Sequence, residues 1–213
     1  MYSILVWMVG AAGVAAGPGL LTVAEWAAGA SLVTVARARF VVAAAMSAMT
    51  ALLWWAGWAQ LGMTPAWLAW CWACALGCSL VLTDVCCRRL PFRLLGALAG
   101  GGALVFLCAA LIDGVWTQFG FACTAAVAVF ALAGLAQISV PGHTGGGDTA
   151  LYSALALYLG WFGWDGLLRG LLISCGLTGI VALAVAASSK SMNSRFPAGP
   201  SLLAGALASI LIT

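Results

Sequence analysis

Apolar residues run along this chain in eight stretches, separated by short polar or charged breaks. The stretches cover about residues 3–24, 40–60, 66–83, 94–112, 119–140, 150–164, 167–187 and 197–213. An apolar run of roughly twenty residues is long enough to cross the hydrocarbon core as an α-helix. The pattern predicts an all-α, polytopic membrane protein with about eight transmembrane helices.

Composition agrees with this reading. The chain is 65% hydrophobic and 6% charged, whereas soluble domains carry about 25% charged residues. So apolar a chain cannot hide its surface in a soluble core. The opening run has no Lys or Arg before Arg37. It lacks the basic start of a secretory signal and reads as a first membrane helix.

Positive charge sets the expected orientation. With eight spans, alternate loops fall at 25–39, 84–93, 141–149 and 188–196. They hold Arg37, Arg39, Arg88, Arg89, Arg93, Lys190 and Arg195, leaving only Arg169 for the other side. Basic residues concentrate on the cytoplasmic face, so these loops are expected inside and both termini outside. Trp54, Trp55, Trp58, Trp161 and Trp164 then fall near outer span ends, as an interfacial belt would. No basic–aromatic interleave marks a nucleic-acid surface.

Small and soft residues fill the runs. Gly96, Gly100, Gly101 and Gly102 suggest a face along which helices approach closely. Cys71, Cys74 and Cys78 share one helical face inside an apolar run, where free cysteine packs as a small hydrophobe. Their spacing has no second CxxC and no nearby His to complete a zinc site. Cys86 and Cys87 are expected as free thiols in a reducing compartment. No metal and no cofactor is expected.

The five acids are Glu25, Asp84, Asp113, Asp148 and Asp165. Glu25 reads as a solvated loop charge, Asp113 as a helix end, and Asp165 with Arg169 as a surface pair at i, i+4. Asp84 could likewise pair with Arg88 four residues on. Asp148 differs, because Gly145, Gly146 and Gly147 precede it at the edge of a membrane-length run. Glycine opens backbone angles closed to other residues and admits another backbone; it also makes a plain flexible turn. An acid at a span boundary is a functional candidate by default. Asp84 and Asp148 are both expected at cytoplasmic span ends. Two carboxylates sharing a site can divide the work of acid and base toward water. Other hydrolytic schemes lack parts: the chain has one histidine, His143, and neither HExxH nor GxSxG.

These residues resemble type IV prepilin peptidases. Asp84 to Pro91 is similar to the family's Asp-x6-Pro segment. Gly145–Asp148 matches its GxGD motif, and PAGPSLLAG at 197–205 is similar to its last-helix segment. Phe92 stands where the family often has Asn, and Ala150 where it often has Lys. The resemblance covers about residues 66–213, so residues 1–65 are expected to be a separate two-helix membrane region. It implies a GxGD-type aspartic endopeptidase of the bacterial inner membrane that removes the leader of prepilin-like proteins at the cytoplasmic face. Asp84 and Asp148 would be catalytic, with Pro91 and Gly145, Gly146 and Gly147 forming the active-site loops. Its partners would be the prepilin substrate and the bilayer. Members that also methylate the product carry a larger, cysteine-paired insertion after the first span. The loop here is short and free of cysteine, so no methyltransferase domain is expected. The competing readings are a small-solute transporter and an inactive pilus-associated scaffold. Acids at span ends and the want of an internal repeat count against the transporter.

Overall fold

Helices form wherever the apolar runs lie, because backbone polar groups in lipid must be satisfied within their own segment. The computed structural model describes residues 2–139, 145–189 and 198–212. Among them are eight helices: α1 (Tyr2–Ala28), α2 (Ala36–Leu61), α3 (Pro65–Cys87), α4 (Phe92–Asp113), α5 (Trp116–Ser139), α6 (Gly146–Gly160), α7 (Gly163–Ser189) and α8 (Gly199–Leu211). The all-α architecture is thus the one the apolar pattern predicts.

Five helices are long and apolar enough to cross a bilayer: α2, α3, α4, α5 and residues 163–185 of α7. Only 17% of the most apolar stretch of α5 and 11% of that of α7 is buried. Val127, Phe130 and Leu132 of α5, and Leu172, Ile180 and Leu183 of α7, face outward. Exposed apolar surface on this scale suits lipid rather than water. The chain is a membrane-embedded helical protein.

The chain packs as two units, Met1–Phe106 and Leu107–Thr213, with the division inside α4. The boundary expected at 65/66 followed the reach of the motifs, whereas this one follows packing.

In the first unit α1, α2 and α3 pack against one another. Leu20, Leu21, Ala43 and Met46 form a core that Cys78 and Leu82 of α3 adjoin. Ser79 Oγ donates to the Leu20 carbonyl at 3.2 Å. The α2–α3 pair is joined by indoles. Trp54 Nε1 donates to the Cys71 carbonyl at 2.9 Å. In the other direction Trp67 Nε1 donates to the Trp54 carbonyl at 3.3 Å and Trp70 Nε1 to the Leu53 carbonyl at 2.7 Å. Trp58 and Trp67 meet edge to face, with centroids 5.3 Å apart. Trp54 and Trp58 therefore pack between helices, while Trp55 stays outside at 61% exposure. Sequence position alone does not separate an indole at the membrane surface from one bonded across a helix pair.

The expected glycine face on α4 includes a close contact at Gly101. A side chain at Gly101 would collide with the Trp72 indole, whereas Gly96 and Gly100 face open space. Trp72 Nε1 donates to the Ala97 carbonyl at 2.9 Å, across that contact.

Glu25 is not a solvated loop charge. It lies in the last turns of α1, where its Oε2 meets Arg39 Nη2 at 2.8 Å and its Oε1 meets Nη1 at 3.0 Å. Oε1 also accepts from Leu32 N–H at 3.2 Å, and Arg39 reaches the Val33 carbonyl at 3.4 Å. The fork closes the α1–α2 connection. Asp165 and Arg169, both described, do not form the pair expected between them.

In the second unit α6 is the most enclosed element, with Leu151 and the whole run 154–160 buried. It packs on α5, α7 and α8. Ser153 Oγ donates to the Ala126 carbonyl of α5 at 3.0 Å. α7 and α8 approach closely at Gly205, where an added Cβ would strike the Ser174 backbone.

Candidate active site

Asp84 belongs to the first unit. The sequence placed it at the start of a loop, but α3 continues to Cys87 and carries it one turn inside the helix. It is buried at 6% exposure, and its neighbour Thr83 is fully buried with Oγ1 on the Leu80 carbonyl at 3.0 Å. The i, i+4 relation to Arg88 is realised through the backbone: Arg88 N–H donates to the Asp84 carbonyl at 2.8 Å. Arg88 takes a left-handed conformation, φ 51° and ψ 38°, which ends the helix. A non-glycine residue there is disfavoured by about 1 kcal/mol or more, so the stop is set by the surroundings and not by local preference.

Pro91 begins α4. Its carbonyl accepts from Leu94 N–H at 3.0 Å and Leu95 N–H at 3.2 Å. A proline also bars the preceding residue from helical angles, so Leu90 cannot continue α3. The turn between Asp84 and Phe92 is accordingly short, and Phe92 stands outside at 68% exposure.

Asp148 belongs to the second unit. It is the third residue of α6, after the N-cap Gly145. Its Oδ2 accepts from Gly145 N–H at 3.3 Å, which is half of a capping box; Gly145 has no side chain to return the bond. Burial pushes the Asp148 carboxyl above the usual carboxylate range, and the Gly145 N–H pulls it part of the way back. Thr149, buried beside it, donates to Gln137 Oε1 at 2.8 Å and ties this first turn to the end of α5.

The glycine run does not use special backbone angles. Gly145 sits at φ −89° and ψ 153°, ordinary extended backbone, and Gly146 and Gly147 are helical. The positive-φ glycines among the described residues are Gly29, Gly62, Gly114 and Gly163. A Cβ at Gly145 would meet Asp148 Oδ2 at 3.7 Å, an ordinary contact. What remains of the glycine argument is missing bulk in front of the acid, not special backbone angles.

Tyr152 lies one turn beyond Asp148 on the same helix, and its hydroxyl is 3.7 Å from Cys175 Sγ of α7. The i, i+4 spacing from Asp148 was the sequence signal for it. His143 and Pro197 lie outside the described residues. Of the last-helix segment, Ser201 Oγ contacts Thr178 Oγ1 at 2.9 Å and Gly205 makes the close approach to α7. Asp113 and Asp165 are exposed.

The eight cysteines are free thiols, with Cys74 buried and Cys86 and Cys87 exposed at the end of α3. Among the described residues no three His, Cys, Asp or Glu side chains gather as a metal site. No family model, curated protein or solved structure matches this chain.

Proposed function

We propose that the chain is a membrane aspartic endopeptidase that removes the leader of type IV prepilin-like proteins at the cytoplasmic face of the bacterial inner membrane. Asp84 and Asp148 are its catalytic pair in this reading. The observation that carries it is the state of Asp148: a half-buried carboxyl in the first turn of α6, fronted by glycines and holding its proton more tightly than usual. Aspartic hydrolysis needs such a group, because one acid must stay protonated while the other is ionised. Asp84, buried near the end of α3, supplies the second carboxyl. The motif order Asp84–Pro91, Gly145–Asp148 and 197–205 supports the same assignment.

The chemistry would run through water. The ionised acid takes a proton from water as its oxygen attacks the scissile carbonyl carbon. The protonated acid donates to the carbonyl oxygen. Collapse of the tetrahedral species breaks the C–N bond; the departing amine takes the proton first drawn from water, and as the carbonyl re-forms one hydroxyl returns its proton to the acid that donated it. The protonation states belong to the pair and not to either residue. Incubation of the purified protein with a prepilin tests the reading. Leader release by the wild type, lost in Asp84→Asn and in Asp148→Asn, supports it. An intact leader with the wild type leaves a transporter or a scaffold.

A further inference from the structure

We propose that the arginine-rich end of the first unit is a binding surface for anionic phospholipid headgroups, an inference independent of the peptidase reading. The first unit holds five arginines, Arg37, Arg39, Arg88, Arg89 and Arg93, against two acids, Glu25 and Asp84. They gather at one end, where α1 finishes, α2 begins, and the 88–91 turn passes from α3 to α4. Two contacts fix that placement. The Arg39–Glu25 fork joins the end of α1 to the start of α2. Arg93 lies over the Trp26 ring, 5.0 Å from its centroid, and joins the same end of α1 to the start of α4.

The charge balance at this end is one-sided. Glu25 is held by Arg39, and Asp84 is buried. Arg37, Arg88, Arg89 and Arg93 are all exposed. Guanidinium groups present planar pairs of N–H donors that match phosphate oxygens. Arg93 is pre-positioned by its stacking on Trp26, a cation–π contact.

The apolar neighbours select a lipid over a free phosphate ion. Trp26 is 64% exposed, Phe40 77% and Phe92 68%. Aromatic side chains beside cationic ones suit the boundary between headgroups and acyl chains. A dissolved phosphate would use the arginines and leave these rings in water.

The test uses the full-length protein in phosphatidylcholine vesicles carrying a trace of spin-labelled phosphatidylglycerol or spin-labelled phosphatidylcholine. Electron spin resonance reads the motionally restricted share of each. Wild-type protein is expected to favour the glycerol lipid about fivefold, the factor one arginine contributes near an anionic surface. The Arg88→Gln/Arg89→Gln/Arg93→Gln variant should lose the preference, the matching Arg→Lys variant should keep most of it, and Arg169→Gln should leave it unchanged. The Lys variant guards against a fold defect, because it perturbs the same positions while retaining charge. Equal restriction of the two lipids by the wild type, or an undiminished preference in the Gln variant, overturns the proposal. Displacement of the glycerol lipid by inorganic phosphate at constant ionic strength also overturns it, in favour of a free-phosphate site.

Discussion

Gly57 and Trp70 share one volume. A Cβ at residue 57 would fall on the Trp70 indole, and that indole reaches past it to the Leu53 carbonyl at 2.7 Å. Gly57→Ala raises intrinsic helix propensity by about 1 kcal/mol, but overpacking a close contact costs about 1–3 kcal/mol. The second effect should win. Thermal unfolding in detergent is expected to show a lower midpoint for Gly57→Ala, and a rise in midpoint would show that the indole moves aside freely.

The acids separate catalysis from stability. Asp84→Asn and Asp148→Asn should each abolish leader cleavage, and the double variant should lose little more, because residues acting as one unit are non-additive. Asp113→Asn and Asp165→Asn, at exposed positions, should keep wild-type turnover. Near-normal cleavage by either dyad variant would sink the mechanism.

Asp148 also predicts a pH dependence of stability. Its folded-state carboxyl lies above the usual value. Below the usual value both folded and unfolded chains hold the proton. Between that and the raised folded value, the folded chain keeps a proton the unfolded chain has released, so stability falls as pH rises through the window. Asp148→Asn should remove this slope and be at least as stable as wild type at neutral pH. Unfolding midpoints from mildly acidic to neutral pH check it, and a steeper slope in the Asn variant would contradict it.

The helical frame was readable because lipid leaves the chain few choices: a membrane-length apolar run becomes a helix, and α1 to α8 follow the eight runs closely. The ends were less readable. Charge at Asp84, Glu25 and Asp148 points to loops, yet each lies inside a helix. Contacts between distant residues left no local trace. Glu25 and Arg39 are fourteen apart and meet only through the connection between α1 and α2. Residue type leaves Gly145 open between special backbone angles and a plain turn, and the N-cap it forms uses extended angles that most residues can adopt.

Glu25 gives a further prediction. Glu25→Gln leaves Arg39 without its ionic partner. The pair is partly buried and bidentate, so the loss should be about 1 kcal/mol, the upper end for exposed pairs. Limited proteolysis should cut the connection at 29–35 faster in this variant, and unchanged cutting would show that the backbone contacts suffice.

Ser174 and Gly205 predict opposite effects at one contact. Ser174 Oγ is buried without a hydrogen-bond partner among the described residues, so Ser174→Ala should be neutral or stabilise by about 1 kcal/mol. Gly205→Ala should destabilise, since its Cβ would meet the α7 backbone. Comparing their unfolding midpoints reads the sign directly. A loss with Ser174→Ala would mean that the hydroxyl has a partner in the membrane.

The three indole bonds between α2 and α3 make the relative register of these helices discrete. Sliding one helix by a fraction of a turn would draw Trp54, Trp67 and Trp70 away from their acceptors together, and hydrocarbon offers no replacement for a broken bond. Intermediate displacements gain nothing, because two of the donors point one way and the third points back. The hairpin therefore has no graded series of neighbouring positions, and small motions of this part of the protein carry the two helices as a single body.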